Sequence, residues 1–222
     1  MNRKSVSHVI INLIKVLLVA ALYYLTAQLG LLTMLSSIGI PALWAPSGLA
    51  QAAVLIWGWP AGLGIFIGAL LVFLGIAKTL TVAVALACGG LGQAVLAAWL
   101  LKRYVHPMPP ETIRSTLLTL GISATAALLA PLLAVAGRCY SGVLPWSEFA
   151  SQAWLWWLSG MVGILLFTPG LVYLSVRLRK KQVKETLIWM LTSLVIGVTL
   201  SSVLVLSNFE RQNEREVLDR GT

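Results

Sequence analysis

Acidic residues are scarce in this chain. Asp and Glu together number seven among 222 residues, and charged residues of both signs make up only 10%, against roughly 25% in ordinary soluble domains. Glu111, Glu148 and Glu185 lie between apolar stretches, and the remaining acids all follow residue 207. No carboxylate therefore sits within an apolar run, where an intramembrane acid or base would be needed. The only histidines, His8 and His106, are far from helical spacing, which excludes a paired-histidine metal motif. A Ser-His-Asp set and a phosphate-cradling glycine loop are missing too. Two cysteines, Cys88 within one apolar run and Cys139 at the end of another, read as packed free thiols rather than a disulfide or a metal pair. These absences lead us to expect no enzymatic activity, no catalytic residue, no metal and no cofactor. Polar stretches long enough to fold alone are also lacking between the apolar runs, so one membrane unit is expected.

What the chain has instead is apolar length. Hydrophobic residues make up 59% of it, in runs close to the ~20 residues that cross ~30 Å of hydrocarbon. The reading is an all-α integral membrane protein, a polytopic helical bundle with about seven transmembrane helices, one of them short. The segments fall at residues 10–35, 43–57, 61–77, 79–101, 113–136, 150–176 and 186–206. The N-terminal run is too long for a signal peptide and is read as a retained first helix. Residues 43–57 span only about 22 Å as a helix, so this segment either crosses or re-enters.

Charge placement decides between those two. The net charge of +9 comes from basic residues in short loops, which favours lipid contact and topology over nucleic acid. If residues 43–57 cross, Arg3, Lys4, Lys102, Arg103, Arg114 and the group from Arg177 to Lys184 all share the inner face. The outer loops then keep only Lys78 and Arg138, as the positive-inside rule requires. The expected orientation in a bacterial inner (plasma) membrane is N-terminus cytoplasmic and C-terminus extracytoplasmic. After Leu206 acids and bases alternate, with Glu210 and Glu214, and Arg211 and Arg215, at four-residue spacing. That pattern predicts a solvated connector helix over 208–222, leading to a further domain.

Among candidate functional residues, Trp44-Ala45-Pro46-Ser47-Gly48 stands first. Pro46 turns the backbone away from helix before it and starts the helix after it. Ser47 is expected to cap that helix, presenting a helix N-terminus and the Trp44 indole at the outer surface, either as a ligand mouth or as a capped start with an interfacial anchor. Gln51 and Gln93 read as interhelical hydrogen bonds or as ligand contacts. With Ser159 and Thr168 they would line a small polar cavity. Trp146, Trp154, Trp156 and Trp157 form an aromatic belt or an indole-lined pocket. Thr168-Pro169 predicts a kink, either static or a hinge, and the Gly64-x-x-x-Gly68 and Ser159-x-x-x-Gly163 pairs predict close helix packing.

The order of these motifs resembles the MASE1 family, a membrane-associated sensor domain of bacterial histidine kinases and diguanylate cyclases. The resemblance is carried by Leu43 through Ala50, by Trp59-Pro60-Ala61-Gly62 with Gly64 to Ala69, by Gly92 through Arg103, and by Trp156 through Leu165 leading to Thr168-Pro169. It covers roughly 10–207 and implies a sensor domain over 1–207. One departure is that the family usually shows Gly-Asp where this chain has Ser159-Gly160, so no cation- or proton-linked role carries over to position 160. The resemblance implies a sensory input module that detects a small-molecule ligand or a membrane partner protein and passes a conformational change to a C-terminal output domain. The lipid bilayer and a second copy, as a homodimer, are the other expected partners; nucleic acid is not. The competing readings are a small vitamin- or metabolite-binding transport subunit and a pure dimerisation anchor.

Overall fold

The computed structural model describes residues 3–32, 34–35, 40–77, 79–105 and 110–178. They form α1 (Arg3–Leu32), a minimal antiparallel hairpin of β1 (Met34–Leu35) and β2 (Ile40–Pro41), α2 (Ala45–Trp57), α3 (Trp59–Ile76), α4 (Leu80–Tyr104), α5 (Ile113–Ala126), α6 (Leu129–Tyr140), a 3-10 turn (Trp146–Glu148) and α7 (Phe149–Leu178). In the hairpin Met34 pairs with Pro41 and Leu35 with Ile40. The helical membrane fold expected from hydropathy is what these residues build. Five stretches are long and apolar enough to cross a membrane, with α2 as a shorter apolar helix. The expected segment at 186–206 and the connector at 208–222 lie outside the described residues.

Bilayer chemistry explains which faces point outward. On α1, Leu13, Leu17, Leu25 and Leu29 are exposed, while Val19, Tyr23 and Ala27, four residues apart, are buried. The outward leucines meet lipid, which is as apolar as they are, so the helices must be held together by close packing. Small residues supply it. A Cβ on Gly64 or Gly68 would fall 2.6 or 2.7 Å from the Val16 or Ala20 carbonyl oxygen. The paired glycines expected to admit a neighbour thus admit α1. Gly89 in turn lets α4 approach α6, where a Cβ would lie 3.1 Å from the Ala130 Cα.

Two breaks have local causes. Gly58 ends α2 and starts α3 with φ +72°, a left-handed conformation that glycine adopts without a Cβ penalty. Pro60 follows in the first turn of α3, where a missing N–H costs nothing. At the second break the segment read at 113–136 is not one continuous helix. The chain instead makes two helices, α5 ending at Ala126 and α6 beginning at Leu129. The proline ring excludes the carbonyl four residues back from a continuous helix. In the first turn of a new helix Pro131 needs no hydrogen bond.

Helix α2 runs through the bundle from one end to the other. Its start, Trp44, shares a cavity with Leu31, Ile76, Val82 and Arg138, all at the hairpin end. At its other end Lys102 donates to the Val54 carbonyl at 3.4 Å, a cation placed at the negative end of the helix dipole. Of the cysteines expected to be packed, Cys139 is buried, but Cys88 is exposed; the α4 surface that carries it faces away from the other helices.

Candidate functional site

The first turn of α2 differs from the sequence expectation in two ways. Ser47 does not cap the helix: no side chain among the described residues caps it, and the Ser47 amide donates to the Trp44 carbonyl at 3.2 Å. Nor is the turn presented at a surface, because Trp44, Ala45, Pro46 and Ser47 are all buried. The reason is α7. The Trp44 amide donates to the Ser159 carbonyl at 3.1 Å, and Gly163 sits so close that a Cβ would overlap the Trp44 carbonyl. Gly48 is equally tight against the Gly163 carbonyl, and a Cβ on Gly160 would come 3.4 Å from the Ser47 hydroxyl. Gly48, Gly160 and Gly163 let two backbones meet, so the seam between α2 and α7 is closed rather than open as a mouth.

The polar candidates separate around this seam into two small voids. The first, about 20 Å³, is lined by Tyr23, Trp44, Ser47, Gln93, Trp156 and Gly160 among others. The amide nitrogen of Gln93, on this lining, is buried with no hydrogen-bond partner among the described residues, and so is the hydroxyl of Ser159, which lines neither void. A void this size holds about one water, which needs at least ~10–15 Å³ and two or more polar neighbours. The second void, about 10 Å³, lies toward the other end and is lined by Gln51, Thr119, Ser123, Thr168 and Pro169. Here Gln51 Nε2 donates to the Ser123 hydroxyl at 2.7 Å, and Thr168 donates to the Gly48 carbonyl at 3.0 Å. Thr168 thus ties α7 to α2 beside Pro169, which lies inside α7.

The tryptophans divide as well. Trp154 is exposed and stacks on Trp157 with ring centres 4.8 Å apart. The Trp157 indole donates to the Ala124 carbonyl at 2.9 Å, near the C-terminal end of α5. That carbonyl lies in the turn leading to the α5–α6 break, where backbone acceptors lack helical partners. Trp156 faces inward instead, lining the first void.

A third and much larger space opens at the hairpin end. This cavity of about 310 Å³ is bounded by Leu31, Met34, Ile40, Phe73, Val82 and Leu86, among others, with Arg138 on its wall. Trp44, Phe73, Leu86 and Trp156 line both this cavity and the first polar void. They form the partition between the two, and Trp44 stacks on Phe73 with ring centres 6.1 Å apart.

Sequence reasoning missed Tyr23, Phe73, Leu86, Thr119 and Ser123 as part of these spaces. For the hydroxyls a signal existed. Thr116, Thr119, Ser123 and Ala126 are buried at three- and four-residue spacing, which marks one helix face. Phe73 and Leu86 carry no such signal in an all-apolar segment.

The MASE1 family model matches residues 14–212. No curated protein and no solved structure matches the chain. MASE1 is a membrane-associated sensory domain family of signalling proteins, and the domain is a sensor rather than a catalyst.

Proposed function

The chain belongs to the MASE1 family, and from that premise we propose that it is the sensory input module of a bacterial inner-membrane signalling protein, with a histidine kinase or diguanylate cyclase as output. Its output would then feed a two-component system or cyclic di-GMP. A ligand or partner protein engages the hairpin end of the bundle, and α7 carries the resulting shift toward segment 186–206. The N-terminus is cytoplasmic and the hairpin end faces outward.

The observation supporting this reading is the contact of Trp44 with α7. Trp44 is on the wall of the 310 Å³ cavity, and its backbone is bonded to Ser159 and abuts Gly163. Displacing its indole therefore strains the α2–α7 seam directly. Thr168, one turn and more along the same helix, is bonded to α2 as well, so α7 would move with α2 or break that bond. A signal requires that the effector bind one arrangement better than the other. Replacing Trp44 with Ala in the whole signalling protein should leave membrane insertion intact and abolish the response of the output. An unchanged response would remove this site from the mechanism. Replacement of the entire module by an unrelated anchor with no loss of response would exclude sensing altogether.

A further inference from the structure

We infer that the cavity at the hairpin end binds a single-chain amphipathic anion, its acid group on Arg138 and its apolar body against Trp44, Phe73 and Leu86. The inference rests on the sensory reading above and names the class of ligand.

The cavity's chemistry is lopsided. Its walls are apolar from every side, with Leu31 from α1, Met34 and Ile40 from the hairpin, Phe73 from α3 and Val82 from α4. Such walls favour an apolar occupant over water. Arg138 is the only charged side chain on them among the described residues. It is half-buried, and no ion pair is formed to it among the described residues. The guanidinium presents a planar fork of donors that matches a carboxylate or related acid in two parallel hydrogen bonds. Arg138 also lies in the last turn of α6, where the helix dipole favours a cation.

Size and placement narrow the class further. About 310 Å³ is at the lower end of the ~300–1,000 Å³ typical of small-molecule pockets. It accommodates one apolar body rather than the paired tails of a phospholipid. The floor of the pocket is the partition of Trp44, Phe73, Leu86 and Trp156 shared with the polar void that contains Gln93. An occupant would press on the same indole whose backbone is fastened to α7.

Equilibrium binding of radiolabelled decanoate to the full chain, reconstituted in nanodiscs of uncharged phosphatidylcholine, tests the assignment. Saturable binding at one site per chain is expected, above the partitioning into empty discs. Arg138→Gln should weaken it by about tenfold or more, and decanol, equal in length but uncharged, should compete at least about tenfold more weakly than unlabelled decanoate. Leu86→Trp, which fills the floor, should remove the saturable component. Equal competition by decanol, or unchanged binding in Arg138→Gln, would overturn the proposal. So would loss of decanoate binding in discs containing phosphatidylglycerol, since the occupant would then be a bilayer lipid. Binding as expected combined with an output that ignores decanoate would instead refute the sensory reading and leave the site standing.

Discussion

The backbone amide of Trp44 donates to the carbonyl of Ser159 across the seam between α2 and α7, at 3.1 Å. It is the point at which the start of the short helix and the long helix α7 are joined by main chain alone. Side-chain substitutions at either position leave the bond itself in place. What governs it is how closely the two backbones can approach, and that is decided by Gly48, Gly160 and Gly163.

Gly163→Ala should therefore separate the seam. The added methyl meets the Trp44 carbonyl, a rigid atom, and overpacking of this kind costs about 1–3 kcal/mol. Gly75→Ala is the control: it also lies within a helix, yet no described residue comes within 4 Å of its would-be Cβ. It should be neutral or stabilise by up to about 1 kcal/mol. Thermal unfolding in detergent micelles compares the two, and equal midpoints would contradict the close seam.

Thr168→Val removes the hydroxyl that donates to Gly48 while preserving shape. Interhelical side-chain hydrogen bonds in membranes average about 0.6 kcal/mol and reach about 1.7. A loss in that range is expected in reversible unfolding. A larger effect on signalling than on stability would mark the bond as part of the switch rather than packing.

Gln51 and Gln93 look alike in sequence but should behave differently. Each carries one buried amide atom without a partner among the described residues, Oε1 of Gln51 and Nε2 of Gln93, but Gln51→Leu also breaks the 2.7 Å bond and leaves the buried Ser123 hydroxyl without its amide donor, so it should destabilise by about 1 kcal/mol. Gln93→Leu replaces an amide nitrogen that has no partner among the described residues, and exchanging such a group for an apolar one of similar size is close to neutral. Unfolding free energies of the two variants, measured side by side, should differ in that order.

Topology is open to direct labelling. Tyr140 and Tyr104 are exposed, at 83% and 60%, at the far ends of α6 and α4. In a background with Cys88 and Cys139 replaced by Ala, Tyr140→Cys should react with an impermeant maleimide from outside intact spheroplasts. Tyr104→Cys, beside Lys102 and Arg103, should react only after lysis. Labelling of both from one side would contradict the orientation.

Much of the architecture is legible in residue order. Apolar length alone predicts the membrane bundle, and the helix breaks at Gly58-Trp59-Pro60 follow from backbone chemistry local to those residues. Gly64 and Gly68 announce a close helix contact by their spacing. Pro131 announces an interruption, although whether it bends one helix or separates two depends on what the neighbouring turn can satisfy. Spacing also shows that Thr119 and Ser123 share a face with Thr116.

The sequence by itself determined that this chain lives in a bilayer, because the cost of burying polar backbone in hydrocarbon leaves helices as its form, and it determined where small residues permit backbones to touch. Only the tertiary structure decided which helices touch there. It set Trp44 inside the bundle rather than at its surface, divided Gln51 from Gln93, and brought Arg138 to the wall of an apolar cavity. The physical reason is that periodicity assigns a residue to a face but is silent on the partner opposite. In a medium as apolar as the side chains themselves, partners are selected by shape and by the few polar groups that must find one another.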